Sequence, residues 1–252
     1  MFHLKVIKTI MKESKIDSRR FGFKVGKSDG EIFRNVSFEK IKKKGYKLII
    51  ARVNLNDVEL INKMEDIGFR IKDIQITYKH NLLDISVPNF LNRNSSIIIR
   101  EFKKSDTEVL MNLAKDSFNN YGHYFKNNDL DKKKCLEVYE DWAYNSCTKK
   151  EFADKIFVAC QKDIVIGYLS FKIHDMGLGK KYAAGGMGAV SLSHRGMNVF
   201  PKILNAGLDW SLSENLDWCE HNVIISNFPV NISMNKAGFK PGKPVATMHL
   251  MM

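Results

Sequence analysis

The stretch from Val190 to Leu204 holds the residues with the clearest chemical meaning in this sequence. A run of strand-forming residues ends there, a short loop containing Gly196 follows, and an apolar helical pattern begins near Val199. The first amide groups of a helix have no partner within the helix and lie at the positive end of its dipole. A strand-to-helix turn of this kind can bind a phosphate or pyrophosphate group.

This loop resembles the acetyl-CoA loop of the GNAT superfamily of N-acyltransferases, which reads Arg/Gln-x-x-Gly-x-Gly/Ala and matches here from Arg195 to Phe200. Asn198 replaces the first family glycine, and asparagine can adopt the left-handed conformation. Phe200 replaces a small residue, so it either narrows the approach of the phosphate or points away from it. The resemblance implies that acetyl-CoA is bound by Ala189, Val190, Arg195, Gly196, Met197, Asn198, Val199, Phe200 and Asn227.

Other positions extend the resemblance over nearly the whole chain. Asn227, the pair Pro229-Val230 and the pair Gly238-Phe239 follow the helix in the family's order. With Tyr139 and Trp142 upstream, they make residues 97–252 similar to the TDP-fucosamine acetyltransferases, which acetylate the 4-amino group of a nucleotide-linked deoxy sugar. The resemblance therefore implies acetyl transfer to a primary amine of a small molecule, with a nucleotide-linked amino sugar as the acceptor.

The implied mechanism is direct transfer in a ternary complex, in which a backbone N–H near Ala189 or Val190 polarises the thioester carbonyl. Asn227 is the predicted catalytic residue because its amide could bind the CoA arm or a water; the alternative is a cap for the following helix. The proton donor stays open. The family places a tyrosine where this sequence has Met234, which leaves Tyr168 or water. No base is assigned.

Three side chains are predicted to bind the acceptor. Tyr139 and Trp142 lie three residues apart on one helical face, where they either pack in the core or stack against a sugar or base. His249, in the last strand, either faces the acceptor or is half-buried. His194, next to the loop, is interpreted as a surface or capping group rather than a catalytic one.

The chain has 252 residues, of which 44% are hydrophobic and 27% charged, a composition typical of a globular protein. The elements predict an α/β fold with a mixed central sheet of GNAT type. A polar linker at Pro88–Ser96 divides a partial GNAT-like domain at residues 1–94 from a GNAT domain at 95–252. The order strand, helix, Gly-Phe, strand occurs in the first half and again near the end, which indicates an internal repeat of half a domain.

Charge and cysteine content exclude several classes. The formal net charge is +12, but only eight of the 40 basic residues are arginine and they are scattered, so we expect no nucleic-acid partner. No apolar run reaches the roughly 20 residues of a membrane span. The four cysteines form no CxxC pair, which predicts no metal site and a reduced, cytoplasmic setting. A homodimer is left open, and a non-catalytic module that binds CoA or a nucleotide is the alternative function.

Overall fold

A computed structural model describes residues 11–82 and 96–252 and divides them into two compact units. The first unit contains residues 11–75, 122–134 and 243–252, and the second contains the other described residues. The predicted domains are consecutive in sequence, whereas these units interleave, because the last strand pairs within the first unit. The predicted boundary between residues 94 and 95 lies outside the described residues.

The strands and helices make up the α/β fold that the sequence predicts. The strands are β1 (Lys12–Glu13), β2 (Val25–Asp29), β3 (Leu48–Asn54), β4 (Arg70–Asn81), β5 (Ile97–Glu101), β6 (Lys155–Gln161), β7 (Ile164–Gly177), β8 (Lys180–Val190), β9 (Trp218–Ile224) and β10 (Lys240–Met251). The helices are α1 (Lys15–Phe21), α2 (Ile32–Asn35), α3 (Phe38–Lys42), α4 (Val58–Ile67), α5 (Thr107–Phe118), α6 (Gly122–Phe125), α7 (Lys132–Thr148), α8 (Val199–Ser213) and α9 (Phe228–Lys236).

In the first unit the strand order is β1-β2-β3-β10-β4. β2 and β3 are parallel, and β3 and β10 are antiparallel. One face of these strands builds the core with α4, in which Met64 and Phe69 are fully buried. Burial of such apolar side chains is the main favourable contribution to folding.

In the second unit the strand order is β4-β9-β8-β7-β6-β5, with β8 and β9 parallel and β5 to β8 antiparallel. The predicted mixed sheet is confirmed. Helix α8 buries its apolar face in the core of this unit, where Gly207 lets the ring of Phe171 approach the helix backbone closely. None of the described helices is long and apolar enough to span a membrane.

The predicted half-domain repeat is visible in the elements themselves. The succession β3-α4-β4 in the first half returns as β9-α9-β10, and each element begins 170 positions later, at residues 48 and 218, 58 and 228, and 70 and 240. The apolar run Val223-Ile224-Ile225 predicts a strand that begins five residues after the observed start of β9 at Trp218. The first residues of β9 include Trp218, Glu220 and His221. Their polar or aromatic side chains interrupt the apolar pattern from which a strand is predicted.

Candidate functional site

The second unit contains a groove formed by two strands that part from each other. β8 and β9 pair in parallel from Tyr182 and Trp218 to Gly185 and His221. β8 then continues to Val190 and β9 to Ile224, both fully described, with no further pairing between them. The backbone groups that face across this opening are therefore available to an extended ligand, as at a sheet edge.

An irregularity in β8 accounts for the parting of the strands. The register between β7 and β8 shifts between the pairs Leu169–Gly188 and Phe171–Gly185, so β8 has one residue more than β7 there. Such a bulge bends its strand and re-aims the chain. The Ser170 hydroxyl donates to the Met187 carbonyl at 3.1 Å and holds the bulge in place.

Positions 185 and 188, next to the bulge, require glycine because there is no space for a Cβ atom. A Cβ on Gly185 would overlap the His221 ring, and one on Gly188 would lie 2.6 Å from Leu169 Cδ1. His221 is buried, its Nε2 has no hydrogen-bond partner among the described residues, and burial lowers its pKa to about 3. The histidine is therefore a neutral packing group that supports the strand end from which the groove opens.

The loop that follows β8 has the conformation that the sequence predicts for a phosphate-binding turn. Asn198 is left-handed with φ 57°, and Gly196 has φ 80°. Residues 195–198 are exposed, and the first helical bond of α8 runs from the Lys202 N–H to the Asn198 carbonyl at 3.2 Å. The earlier amides of this turn are thus open to a ligand. Phe200 packs against the core of the unit, so its ring points away from the loop.

His194 anchors the loop to its surroundings. Its Nδ1 lies 2.7 Å from Ser191 Oγ and 2.9 Å from Ser193 Oγ, and its Nε2 lies 3.1 Å from Gln161 Oε1 on β6. Nδ1 therefore accepts from the serines while Nε2–H donates to the glutamine. The residue interpreted as a surface or capping group is better described as a clamp on the loop. Arg195 is exposed, with Nε 3.4 Å from the Val190 carbonyl oxygen.

Asn227 lies three residues beyond the end of β9 and begins α9 without a side-chain cap. Its Nδ2 donates to the hydroxyl of Tyr121 at 3.2 Å. Tyr121 is half-buried and is held by Tyr139, whose hydroxyl donates to the Tyr121 carbonyl at 2.9 Å, and by edge contact with Phe118 at 5.1 Å between ring centroids. Sequence reasoning missed Tyr121, because it lies in a polar segment without periodicity.

Met234, which replaces the family tyrosine, and Tyr168, the candidate proton donor, are both enclosed. Met234 is 1% exposed in the core of the second unit and carries no proton to donate. Tyr168 is 1% exposed, and burial raises the pKa of its hydroxyl, which has no hydrogen-bond partner among the described residues. Neither side chain reaches the groove surface, so Tyr121 is the phenol that the structure adds to this region.

The other predicted cosubstrate residues lie in and around this loop. Ala189 and Val190 belong to the end of β8, which pairs with β7 but not with β9. Val199 is buried at the start of α8, while Met197 is exposed. Among residues 11–82 and 96–252, no group of three His, Cys, Asp or Glu side chains is arranged to hold a metal ion.

The three predicted acceptor residues have different environments. Tyr139 is buried and stacks on Phe118 with ring centroids 4.8 Å apart, which corresponds to the packing interpretation. Trp142 is 40% exposed on α7. His249 belongs to the first unit, is 2% exposed, and lies between His123 and Asn127. Their binding roles stay predictions.

Comparison with protein-family models and with curated proteins found no match. Solved structures do match. A GCN5-related N-acetyltransferase from Sphaerobacter thermophilus has a TM-score of 0.62 and 12% identity over 96% of this chain and 76% of its own. A tandem GNAT protein from the clavulanic acid biosynthesis pathway has a TM-score of 0.59 and 15% identity over 91% of this chain and 76% of its own.

A third match is the GCN5-related glucosamine N-acetyltransferase region of a fungal multi-domain GH3 beta-N-acetylglucosaminidase. Its TM-score is 0.62 at 14% identity, and the match covers 96% of this chain and 31% of that one. At these identities the likeness concerns the fold. The chain therefore has the fold of the GCN5-related N-acetyltransferases.

Proposed function

We propose that this protein transfers an acetyl group from acetyl-CoA to a primary amine of a small molecule. The observation that supports the proposal is the parting of β8 and β9 in front of an exposed strand-to-helix loop. The ends of β8 and β9, which do not pair with each other, offer backbone partners for the pantetheine amides, and the loop amides offer donors for the pyrophosphate. Acetyl-CoA supplies the acyl group as a thioester, whose carbonyl carbon an amine can attack.

The chain's own residues have three tasks in this reaction. A backbone N–H near Ala189 or Val190 stabilises the developing negative charge on the carbonyl oxygen. A new C–N bond forms, the C–S bond breaks, and the thiolate that leaves needs a proton. We assign that donation to Tyr121, whose hydroxyl is positioned by Asn227 within the same unit. The proton that the ammonium loses passes to water in this proposal, which assigns no side chain as the base.

For the acceptor we propose a nucleotide-linked amino sugar. The support is the sequence resemblance, together with a fold neighbour described as a glucosamine N-acetyltransferase region. We also propose a cytoplasmic location, in keeping with four cysteines that are all free thiols. A homodimer stays a prediction that light scattering would decide.

Binding is the first test. Acetyl-CoA at millimolar concentration should raise the melting temperature, because a ligand that binds only the folded state stabilises it. Met197→Glu puts a negative charge on the exposed loop and should weaken acetyl-CoA binding about tenfold. The matched control is Leu178→Glu, which makes the same change at the fully exposed tip of the β7–β8 hairpin and should leave the affinity unchanged.

Turnover is the second test. Release of free thiol from acetyl-CoA should be stimulated by a nucleotide-linked amino sugar in a panel of primary amines. Binding without stimulated release by any amine would support the alternative, a non-catalytic module that holds CoA or a nucleotide; the buried Met234 at the family's tyrosine position favours that alternative. Absence of binding would contradict both.

A further inference from the structure

The first unit has a polar sheet face that the proposed transfer reaction does not use. Backbone register places two rows of side chains on one face of β2, β3 and β10, opposite the face that builds the core. The rows are Lys27–Ile50–His249 and Asp29–Arg52–Thr247. The segment 122–134 contributes His123 and Asn127 to this face. Buried polar groups on a sheet face are unusual unless each has a partner.

Hydrogen bonds fix the protons of the two histidines. Asn127 Oδ1 accepts from the Asp129 N–H at 3.2 Å, so its Nδ2 must be the atom that donates to His249 Nδ1 at 3.1 Å. His249 therefore carries its proton on Nε2 and donates it to His123 Nδ1 at 2.8 Å. His123 in turn carries its proton on Nε2. The series of hydrogen bonds therefore makes His123 Nε2 a hydrogen-bond donor.

Both imidazoles are held in the neutral form. Burial lowers the pKa of His249 to about 3, and the positive charges of Lys72 and Lys27 act in the same direction, while Asp17 opposes them. Burial, His249, Arg52 and Lys27 lower the pKa of His123. Asp17 has little effect because it already pairs with Lys27 at 2.5 Å and with Arg20 at 3.0 Å.

The outer end of this series of hydrogen bonds, the Nε2–H of His123, is accessible to solvent. His123 is half-buried, and its Nε2 has no hydrogen-bond partner among residues 11–82 and 96–252, nor is that atom buried. Arg52 and Lys126 are exposed and make no ion pair within the same residues. Arg52 lies near enough to His123 to shift its pKa, and Arg52 and Lys126 both act on Asp73.

The acidic groups of this face make no ion pair with Arg52 or Lys126 among the described residues. Asp73 is 4% exposed, neither carboxylate oxygen has a hydrogen-bond partner in the described chain, and burial raises its pKa toward the neutral form. The Thr247 hydroxyl lies near enough to favour the ionised form without making a hydrogen bond. The Asp29 carboxylate accepts from the Glu31 N–H at 3.0 Å. Among the described residues, Arg52 and Lys126 therefore have no ion-pair partner on the face that carries the oriented N–H.

We propose that His123, Arg52 and Lys126 form a binding site for the phosphate group of a small molecule. An arginine offers paired donors for phosphate oxygens, lysine adds charge, and a neutral imidazole N–H adds a directed hydrogen bond. A locked, uncharged histidine selects for an acceptor atom at one position, which a diffuse basic surface does not. The site lies in the first unit and does not depend on the proposed transferase activity.

Binding of inorganic pyrophosphate to the full chain tests the site, by calorimetry at constant ionic strength and without CoA. Arg52→Gln should weaken binding at least tenfold, and Arg19→Gln, which removes the same charge from another exposed position of the first unit, should not. Met197→Glu, in the loop of the second unit, separates the two sites. Binding lost in Met197→Glu but kept in Arg52→Gln would overturn the proposal and leave the transferase proposal intact.

Nuclear magnetic resonance of the imidazole nitrogens distinguishes a directed hydrogen bond from general charge attraction, because charge attraction alone would not change the nitrogen signals. His123 and His249 should both show the Nε2–H tautomer, His249 should stay neutral at pH 5, and pyrophosphate should shift the His123 Nε2 signal. In Asn127→Asp the lock is lost, because a carboxylate accepts rather than donates, and the tautomer of His249 should change. An Nδ1–H tautomer at His123 in the unaltered protein, or no shift on adding pyrophosphate, would contradict the site.

Discussion

The strand pairs β2–β3 and β8–β9 occupy the same place in the two halves of the repeat, yet they end differently. In the first unit the parallel pairing continues to Asp29 and Arg52, and the Gly30 N–H then donates to the Arg52 carbonyl at 2.7 Å. In the second unit the pairing stops at Gly185 and His221, before either strand ends. Only the second pair leaves backbone groups for a ligand, so one topology gives a closed sheet in one unit and a groove in the other.

The residues after these strands diverge in the same way. Asp57 and Asn227 are equivalent, 170 positions apart, and each donates its backbone N–H to the residue three before it at 2.9 Å. The Asp57 side chain caps α4 by accepting from the Leu60 N–H at 3.2 Å and also pairs with Arg34. The Asn227 side chain makes no cap and instead donates to Tyr121. A structural position in one unit is thus available for chemistry in the other.

The strongest test of the repeat is a matched pair of core substitutions. Met64 and Met234 are equivalent: Phe69 and Phe239 donate their N–H to the carbonyls of these methionines at 3.0 Å, and both side chains are at most 1% exposed. Met64→Ala and Met234→Ala should each lower the free energy of unfolding by about 2–5 kcal/mol, since each leaves a cavity. Chemical denaturation measures the change.

The control for this pair is Met176→Ala, at a position that is 64% exposed, and it should have almost no effect on stability. A large loss for Met64→Ala with none for Met234→Ala would mean that Met234 is not a core residue. The equivalence of the two units would then fail at this position.

The next prediction concerns the side chain that distinguishes the open unit. Tyr121→Phe removes the hydroxyl that receives the Asn227 amide but keeps the ring contact with Phe118. If Tyr121 donates the proton to the departing thiolate, kcat should fall about 100-fold, with the KM for acetyl-CoA little changed. Tyr144→Phe, at an exposed position of α7, is the matched control. Equal kcat values for the two variants would rule out Tyr121 as the proton donor.

Buried histidines should make stability depend on pH in both units. His221 in the second unit and His249 in the first have pKa values near 3, below the ordinary value of 6.5. The unfolded chain therefore binds protons that the folded chain does not, and stability falls as the pH decreases from 7 to 5. Each histidine should contribute about 2 kcal/mol to this loss.

Replacement of one histidine isolates its share of the pH dependence. In His221→Leu the loss of unfolding free energy between pH 7 and pH 5 should be smaller by about 2 kcal/mol than in the unaltered chain. His174→Leu, at an exposed position, should leave the loss unchanged. An undiminished loss in His221→Leu would mean that His221 is accessible to protons in the folded state.

The sequence was informative where a local pattern determines local structure. The alternating strands, the turn at Asn198 and the Gly-Phe pairs all follow from conformational preferences of a few neighbouring residues. It was uninformative where distant segments meet. The residues around Tyr121 do not predict that its hydroxyl contacts Asn227, and those around His249 do not predict its hydrogen bond with His123. Both contacts join residues more than 100 positions apart.

The smallest expected effect on stability concerns the residues that begin α4 and α9. Asp57→Ala removes a side-chain cap and should lower the free energy of unfolding by about 1 kcal/mol. Asn227→Ala removes no cap, so its effect on stability should be a few tenths of a kcal/mol at most, while Tyr121 loses its hydrogen-bond donor. Denaturation curves for the two variants, measured together, give the difference. If the ranking is reversed, the Asn227 side chain holds the fold together, and its contact with Tyr121 then says nothing about function.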